Sequence, residues 1–306
     1  MRTPPNQTEF DAIVIGGSYA GLSAAMQLAR ARRRVLVIDA GQRRNRFATH
    51  SHGFLTQDGS EAAGIAAQGR AQLLAYPNVR WVEGKAVQAA REGDGFRIAL
   101  DDGGSVHGRR LVLATGVIDD LPAIAGLRER WGQSVFHCPY CHGYELDGGA
   151  IGVIATGELS MHHALMLPDW GSVTLFLNGA FEPDAAQLAA LAGRGVALER
   201  TLVARIEGEA DVVLLDGRTL PMAGLFVMPQ MRMASPIAGQ LGCAMEDGHA
   251  GQFVRTDMMK ASSVAGVFCC GDMARAAGNV ALAVADGAMA GVGAHRSLIE
   301  ALNVPA

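Results

Sequence analysis

A chain of 306 residues, 49% apolar and 18% charged, can bury a large core and is long enough for about two domains. Its formal charge of −4 gives no electrostatic reason to bind nucleic acid or an anionic membrane, and no apolar run approaches the roughly 18 residues of a membrane span. Five cysteines in so long a chain exclude a disulfide scaffold; Met1 to Phe10 is polar and lacks the apolar region of a signal peptide, so a cytoplasmic protein is expected.

Asp11 to Ile15 is a short apolar run that reads as a buried parallel strand. It leads into Gly16-Gly17-Ser18-Tyr19-Ala20-Gly21 and the helical stretch Leu22 to Arg32, and a second strand, Arg34 to Ile38, ends on Asp39. Strand, glycine turn, helix and an acid about 20 residues on form a dinucleotide-binding βαβ pattern. Gly16 permits the tight turn, Gly21 lets helix and strand approach, the helix N-terminus faces a pyrophosphate, and Asp39 accepts from a ribose. Ser18 stands where the middle glycine belongs, which weakens the fingerprint without breaking it. The same serine echoes a hydrolase nucleophile elbow, but Ala20 breaks that pattern.

Residues 41 to 59 form a long polar segment with Arg43, Arg44, Asn45, Arg46, His50 and His52, either a solvated surface or a cofactor cover. Val82 to Val87 and Phe96 to Leu100 alternate like strands, Arg110 to Leu113 is another strand entering Ala114-Thr115-Gly116, and Asp119 to Pro122 reads as a linker.

The stretch His137-Cys138-Pro139-Tyr140-Cys141-His142 follows. Two cysteines at this spacing can close a redox disulfide or share a metal ion, and a flanking imidazole can move protons near neutral pH. A second βαβ pattern comes next: strand Ala150 to Ile154, turn Ala155 to Ser160, helix Met161 to Leu167, strand Val173 to Leu177. Here Ala155 and Ser160 replace the first and last glycines, and the second strand ends at Asn178 without an acid. No lysine or arginine between Gly171 and Gly193 could meet a ribose 2′-phosphate, so this copy reads as a βαβ skeleton that has lost its ligand. Past Leu225 to Met228 the chain turns to Pro229 and Pro236, and Val264 to Asp272 reads as a strand ending in Gly271-Asp272. Val280 to Leu302 is rich in alanine and glycine, as in a helix packed very close to a neighbour or a flat ligand.

Taken in order, Gly16 to Gly21, Ala114-Thr115-Gly116, Cys138-Pro139-Tyr140-Cys141 and Cys270-Gly271-Asp272 resemble the thioredoxin reductase family of FAD-dependent pyridine nucleotide-disulfide oxidoreductases over nearly the whole chain. The resemblance implies an α/β fold of two Rossmann-like, three-layer domains. One is a discontinuous FAD domain (1–118 and 234–306), and the other is an inserted NAD(P)-domain-like module (119–233) carrying the dithiol. It implies FAD contacts from Gly16, Gly17, Ser18, Tyr19, Ala20 and Gly21, from Asp39, Ala40, Asn45 and His52, from Val87 through its backbone to adenine, and from Ala114, Thr115 and Gly116. Gly271 and Asp272 fall at the ribityl or phosphate region, and Val280 and Ala281 begin the helix that faces the flavin. A homodimer is also implied.

Two departures bear on function. The eroded second turn calls NADPH into question, and His142 stands where thioredoxin reductases carry an aspartate. The run Cys138 to Glu145 and the segment Ser51-His52-Gly53-Phe54-Leu55 instead resemble the FAD-dependent dithiol oxidases, which close disulfides in small natural products such as gliotoxin and pass electrons to dioxygen. On that resemblance a substrate thiolate attacks Cys138, Cys141 leaves toward the flavin, and His142 takes a proton, a role its pKa suits better than a carboxylate's; the alternative is a histidine that only hydrogen-bonds. His137, His50 and His52 read as surface or flavin-contact residues, and Cys243, Cys269 and Cys270 as buried small hydrophobes. Two other readings stay open: an NADPH- or ferredoxin-dependent reductase of thioredoxin or a similar disulfide, and a structural zinc held by His137, Cys138, Cys141 and His142, although four ligands in six residues are unlike such sites.

Overall fold

The structure, a computed structural model, describes residues 9–300. Most of the polar stretch Met1 to Phe10 and the last two residues of Val280 to Leu302 lie outside the described residues. The chain forms two compact units: the described parts of Met1–Arg44, Ala63–Ile118 and Arg232–Ala306 make the first, and Asn45–Ala62 with Asp119–Met231 the second. Residues 45–62, which the family resemblance places in the N-terminal domain, cluster with the second unit.

In the first unit the apolar run becomes the strand Glu9–Ile15, parallel to Val35–Asp39 on one side and Ser105–Leu113 on the other. Val79–Glu83 extends the sheet parallel to Val35–Asp39. Ser105–Leu113 also pairs antiparallel with Gly95–Leu100, which pairs with Ala86–Glu92, and takes Val267–Cys269 in parallel at its C-terminal end. Two cores flank this sheet, one built around Ile13, Leu36, Phe96 and Leu111, the other around Val14, Leu28, Val37 and Phe268. The alternation of Ile13 and Val14 between them is the period-2 geometry of a strand buried on both faces. The closing helix Val280–Glu300 lies against the helix Tyr19–Arg30: a Cβ on Gly287 would stand 2.1 Å from the Ala20 carbonyl oxygen, and one on Gly291 2.5 Å from that of Ala24. The small residues are there to let two backbones touch.

The second unit has a parallel five-stranded sheet in the order Val135–Phe136, Gly224–Val227, Gly148–Ile154, Gly171–Phe176, Ala197–Glu199. An antiparallel three-stranded sheet, Val203–Glu207, Asp211–Leu214 and Thr219–Leu220, accompanies it. Both units are therefore α/β with Rossmann-like sheets. Among the described residues no helix is long and apolar enough to cross a membrane.

Three sequence assignments need correction. Val82 to Val87 is two strands, because Gly84 takes φ +159° and its amide bonds the Asp39 carbonyl, turning the chain before Ala86. Asp119 and Asp120 end a short strand, Val117–Asp120, instead of lying in a linker. Only Val267–Cys269 of the run Val264 to Asp272 is strand, and Gly271–Ala274 is a 3-10 turn.

Candidate active site

The glycine turn of the first unit is shaped by contacts that forbid side chains. A Cβ on Gly16 would lie 2.2 Å from the Ala114 carbonyl oxygen, and one on Gly21 1.7 Å from that of Gly16. A Cβ on Gly17 would strike the Trp81 ring at 2.3 Å, while its own N–H donates to Asp39 Oδ1 at 3.0 Å. The acid at the end of the second strand is thus fastened by one oxygen to the turn. Ser18 is the N-cap of the helix Tyr19–Arg30 in extended conformation, and its side chain makes no capping bond, so it does not occupy the first-turn N–H groups. The buried Trp81 Nε1 beside this turn has no hydrogen-bond partner among the described residues. A pyrophosphate at the helix N-terminus and a ribose diol at Asp39 fit these groups.

The other implied cofactor residues of this unit gather in part. Gly271, at φ +73°, would bring a Cβ to 2.9 Å from that of Ala20, so the Gly271-Asp272 turn abuts the first helix. Asp272 Oδ2 accepts from Arg44 Nη1 at 2.9 Å. Thr115 Oγ1 contacts Met273 Sδ at 3.3 Å, and Gly116 accepts from the Ala234 amide. Val280 and Ala281 begin the closing helix, capped by Asn279 Oδ1 accepting from the Leu282 amide at 2.8 Å. Val87 falls in a bulge between Ala86 and Gln88, and its carbonyl accepts from Gln240 Nε2 at 3.3 Å. Ala40 is exposed just beyond Asp39. Asn45 and His52 belong to the second unit. Cys243, Cys269 and Cys270 are buried, and complete burial pushes the Cys270 thiol up to about 12.

The second unit carries the cysteine pair. Cys138 and Cys141 form a disulfide, with Cys138 as N-cap and Pro139 as first residue of the four-residue helix Pro139–His142. Joined to each other, the two sulfurs are not free as zinc ligands. Trp170 lies under this turn: it meets Tyr140 edge-on at 5.4 Å, and a Cβ on Gly143 would be 2.8 Å from its ring. His142 stacks on Phe136 at 4.3 Å, 17° from parallel. Burial, and after it the nearby His52, pushes His142 down to about 4. The expectation that its pKa suits proton transfer better than a carboxylate's is thus corrected: its conjugate acid lies in the carboxylate range, and the ring is neutral at pH 7. His137 stacks on Trp131 at 5.7 Å. The segment 45–62 covers the redox turn: His52 Nδ1 is 3.3 Å from Glu145 Oε1, and a Cβ on Gly53 would lie 4.0 Å from the Tyr140 carbonyl oxygen.

The eroded βαβ turn is closed by its own side chains. Ser160 Oγ accepts from the Thr156 amide at 3.0 Å, in the place where a phosphate oxygen would accept. Asn178, in left-handed conformation with φ +48°, turns its Oδ1 onto the Val203 amide at 3.0 Å. The nearest basic residues beyond it are paired, Arg194 with Asp169 and Arg200 with Glu182, each at 2.7 Å.

Sequence reasoning missed the groups that hold the redox turn. Phe136 and Trp170 belong to no motif that would single them out. His163, in the helix Ser160–Met166, is 2% exposed, faces Phe226 at 6.0 Å and hydrogen-bonds the backbone of His137, one residue before Cys138. Its Nδ1 has no partner among the described residues, and burial, with His162 adding to it, pushes it down to about 4. A histidine among the apolar positions of a predicted helix was the available signal.

Residues 10–290 match the family model of the pyridine nucleotide-disulphide oxidoreductases, and the chain belongs to that family. The protein is therefore an oxidoreductase acting on sulfur groups, of a family that binds FAD, with Cys138–Cys141 fitting its redox pair. Among relatives, thioredoxin reductase tcpT of Claviceps purpurea is 34% identical, covering 96% of this chain and 95% of its own length. Thioredoxin reductase sirT of Leptosphaeria maculans is 32% identical, covering 94% and 93%. Among solved structures, an oxidoreductase from Agrobacterium tumefaciens is 57% identical with a TM-score of 0.93, covering 95% of this chain and 99% of its own. HlmI is 35% identical with a TM-score of 0.89, covering 96% and 94%.

Proposed function

We propose that this protein oxidises a dithiol to its disulfide, with dioxygen as the final acceptor. The observation that carries the reading is Ser160 Oγ on the Thr156 amide, with Asn178 turned away onto Val203. These groups use within the protein what a pyridine nucleotide would need, and losing a charged phosphate contact typically weakens binding by on the order of tenfold to a hundredfold. Electrons then enter from the thiol side. A substrate thiolate attacks Cys138 Sγ, the Cys138–Cys141 bond breaks, and Cys141 departs as a thiolate. His142, neutral beforehand, accepts a proton next to the thiolate that forms; that negative charge favours the protonated imidazole. The second substrate thiolate resolves the mixed disulfide, and the oxidised product leaves behind the reduced Cys138/Cys141 pair.

FAD, held by Gly16 to Gly21, Asp39 and the Gly271-Asp272 turn, supplies the two-electron chemistry between that pair and dioxygen, which gains two electrons and two protons to give hydrogen peroxide. The reading includes a cytoplasmic homodimer that needs neither nucleic acid nor membrane. The test is anaerobic stopped-flow of the holoenzyme with NADPH and with a dithiol, followed by air. Fast reduction by the dithiol, slow or absent reduction by NADPH, and peroxide on reoxidation are expected. Rapid reduction by micromolar NADPH would restore the disulfide-reductase direction suggested by the names of the Claviceps and Leptosphaeria relatives.

A further inference from the structure

Closing a disulfide from a dithiol releases two protons, and His142 accounts for one. We propose that His52, oriented by Glu145, takes the other, so that two imidazoles divide the two deprotonations. The inference rests on the dithiol reading above.

Glu145 lies on the 3-10 turn Tyr144–Leu146 that directly follows the redox helix. Its Oε1 is 3.3 Å from His52 Nδ1, and Asp58 Oδ1 faces the same nitrogen at 3.8 Å. Asp58 Oδ1 accepts from the Gly53 amide at 2.8 Å, so it is the Glu145 carboxylate that places the imidazole hydrogen on Nδ1 and leaves Nε2 as the accepting atom. The ring is 21% exposed, held yet reachable. Gly53, next in the chain, runs against the Tyr140 carbonyl, and His52 is near enough to His142 to act on it electrostatically. The titratable groups facing the His52 ring are Glu145, Asp58 and His142. Among the described residues no carboxylate ion-pairs with His142, and once it holds a proton it cannot accept another. A separate base with its own counter-ion removes that conflict.

In the step itself, the second substrate thiol gives its proton to His52 Nε2. The thiolate attacks the substrate sulfur bonded to Cys138, the bond to Cys138 breaks, and Cys138 leaves as a thiolate while the substrate disulfide forms. Glu145 is a positioning residue that acts through His52.

The experiment compares the holoenzyme with His52→Gln and Glu145→Gln, following anaerobic flavin reduction by dithiothreitol in stopped flow from pH 6.5 to 9.5. Loss of a general base predicts a fall of roughly tenfold to a hundredfold at pH 7 for His52→Gln. The deficit should close as pH passes about 8.5, where thiols ionise without help. Glu145→Gln should show a smaller deficit with the same pH dependence. Flavin content and the far-ultraviolet spectrum check that each variant is folded. A deficit that is constant with pH, or no deficit at all, overturns the proposal. Failure of dithiothreitol to reduce the unmodified holoenzyme would overturn the dithiol reading beneath it as well.

Discussion

The Gly17 amide and the Asp39 carboxylate are joined across 22 residues by one hydrogen bond of 3.0 Å, which uses Oδ1 and leaves Oδ2 for a ligand. The carboxylate therefore shapes the glycine turn, and in the proposed reading its second oxygen accepts from a ribose. Asp39→Ala removes both contributions, and a charge-assisted bond is worth about 1.5–3 kcal/mol. FAD affinity should fall by roughly tenfold to over a hundredfold. Flavin absorbance per mole of protein after gel filtration measures this, and full occupancy in the variant would refute the assignment.

Cys138 and Cys141 should not be interchangeable. Cys141→Ser leaves Cys138 able to hold a mixed disulfide with an oxidised dithiol, since the resolving sulfur is gone. Intact mass after acid quench should show one adduct on Cys141→Ser and little on Cys138→Ser, and both variants should lose turnover. Equal adducts on the two would mean that the substrate-facing role is wrongly placed.

Much of this was legible in the sequence. The run from Ala12 to Ile15 and the glycine turn signal their structure locally, because strand burial and turn sterics each demand particular residue types at short spacing. The pairings His52 with Glu145 and Ser160 with Thr156 were not read as contacts. The first joins segments more than 90 residues apart in sequence, and nothing local announces it. The second could be read only as a missing glycine, whereas in the structure the serine hydroxyl accepts from the Thr156 amide. The pKa expected of His142 was off for a related reason: burial, and after it His52, pushes it down to about 4, which adjacency to Cys141 does not reveal.

Ser160→Ala tests the closed turn. Removing the hydroxyl leaves the Thr156 amide without its acceptor, at a cost of about 0.5–1.5 kcal/mol. Urea unfolding should show a lower midpoint at unchanged slope. An unaltered midpoint would mean that the bond contributes nothing and that water serves the amide equally well.

Stability should fall on mild acidification, and the cause can be isolated by its pH window. His142 and His163 are each pushed down to about 4 by burial, with His52 acting on the first and His162 on the second. The unfolded chain returns both to about 6.5 and so binds more protons than the native state between these values. Stability from keeping the two rings neutral is complete above pH 6.5 and is lost as pH falls toward 4. Each ring accounts for on the order of 3 kcal/mol over that range. Glu199, held down to about 2 by its hydrogen bond to Arg218, works in a different window: its contribution is present above its ordinary value of 4.5 and is lost only as pH falls from there toward 2. Between pH 6.5 and 4.5 the decline therefore belongs to the histidines. Denaturant unfolding at pH 7.5, 5.5 and 4.5 should show it, and His163→Leu should remove about half of the slope while the effect of His142 remains. If unfolding free energy is flat from pH 7.5 to 4.5, or if His163→Leu keeps the full slope, His163 is not the buried neutral group described here.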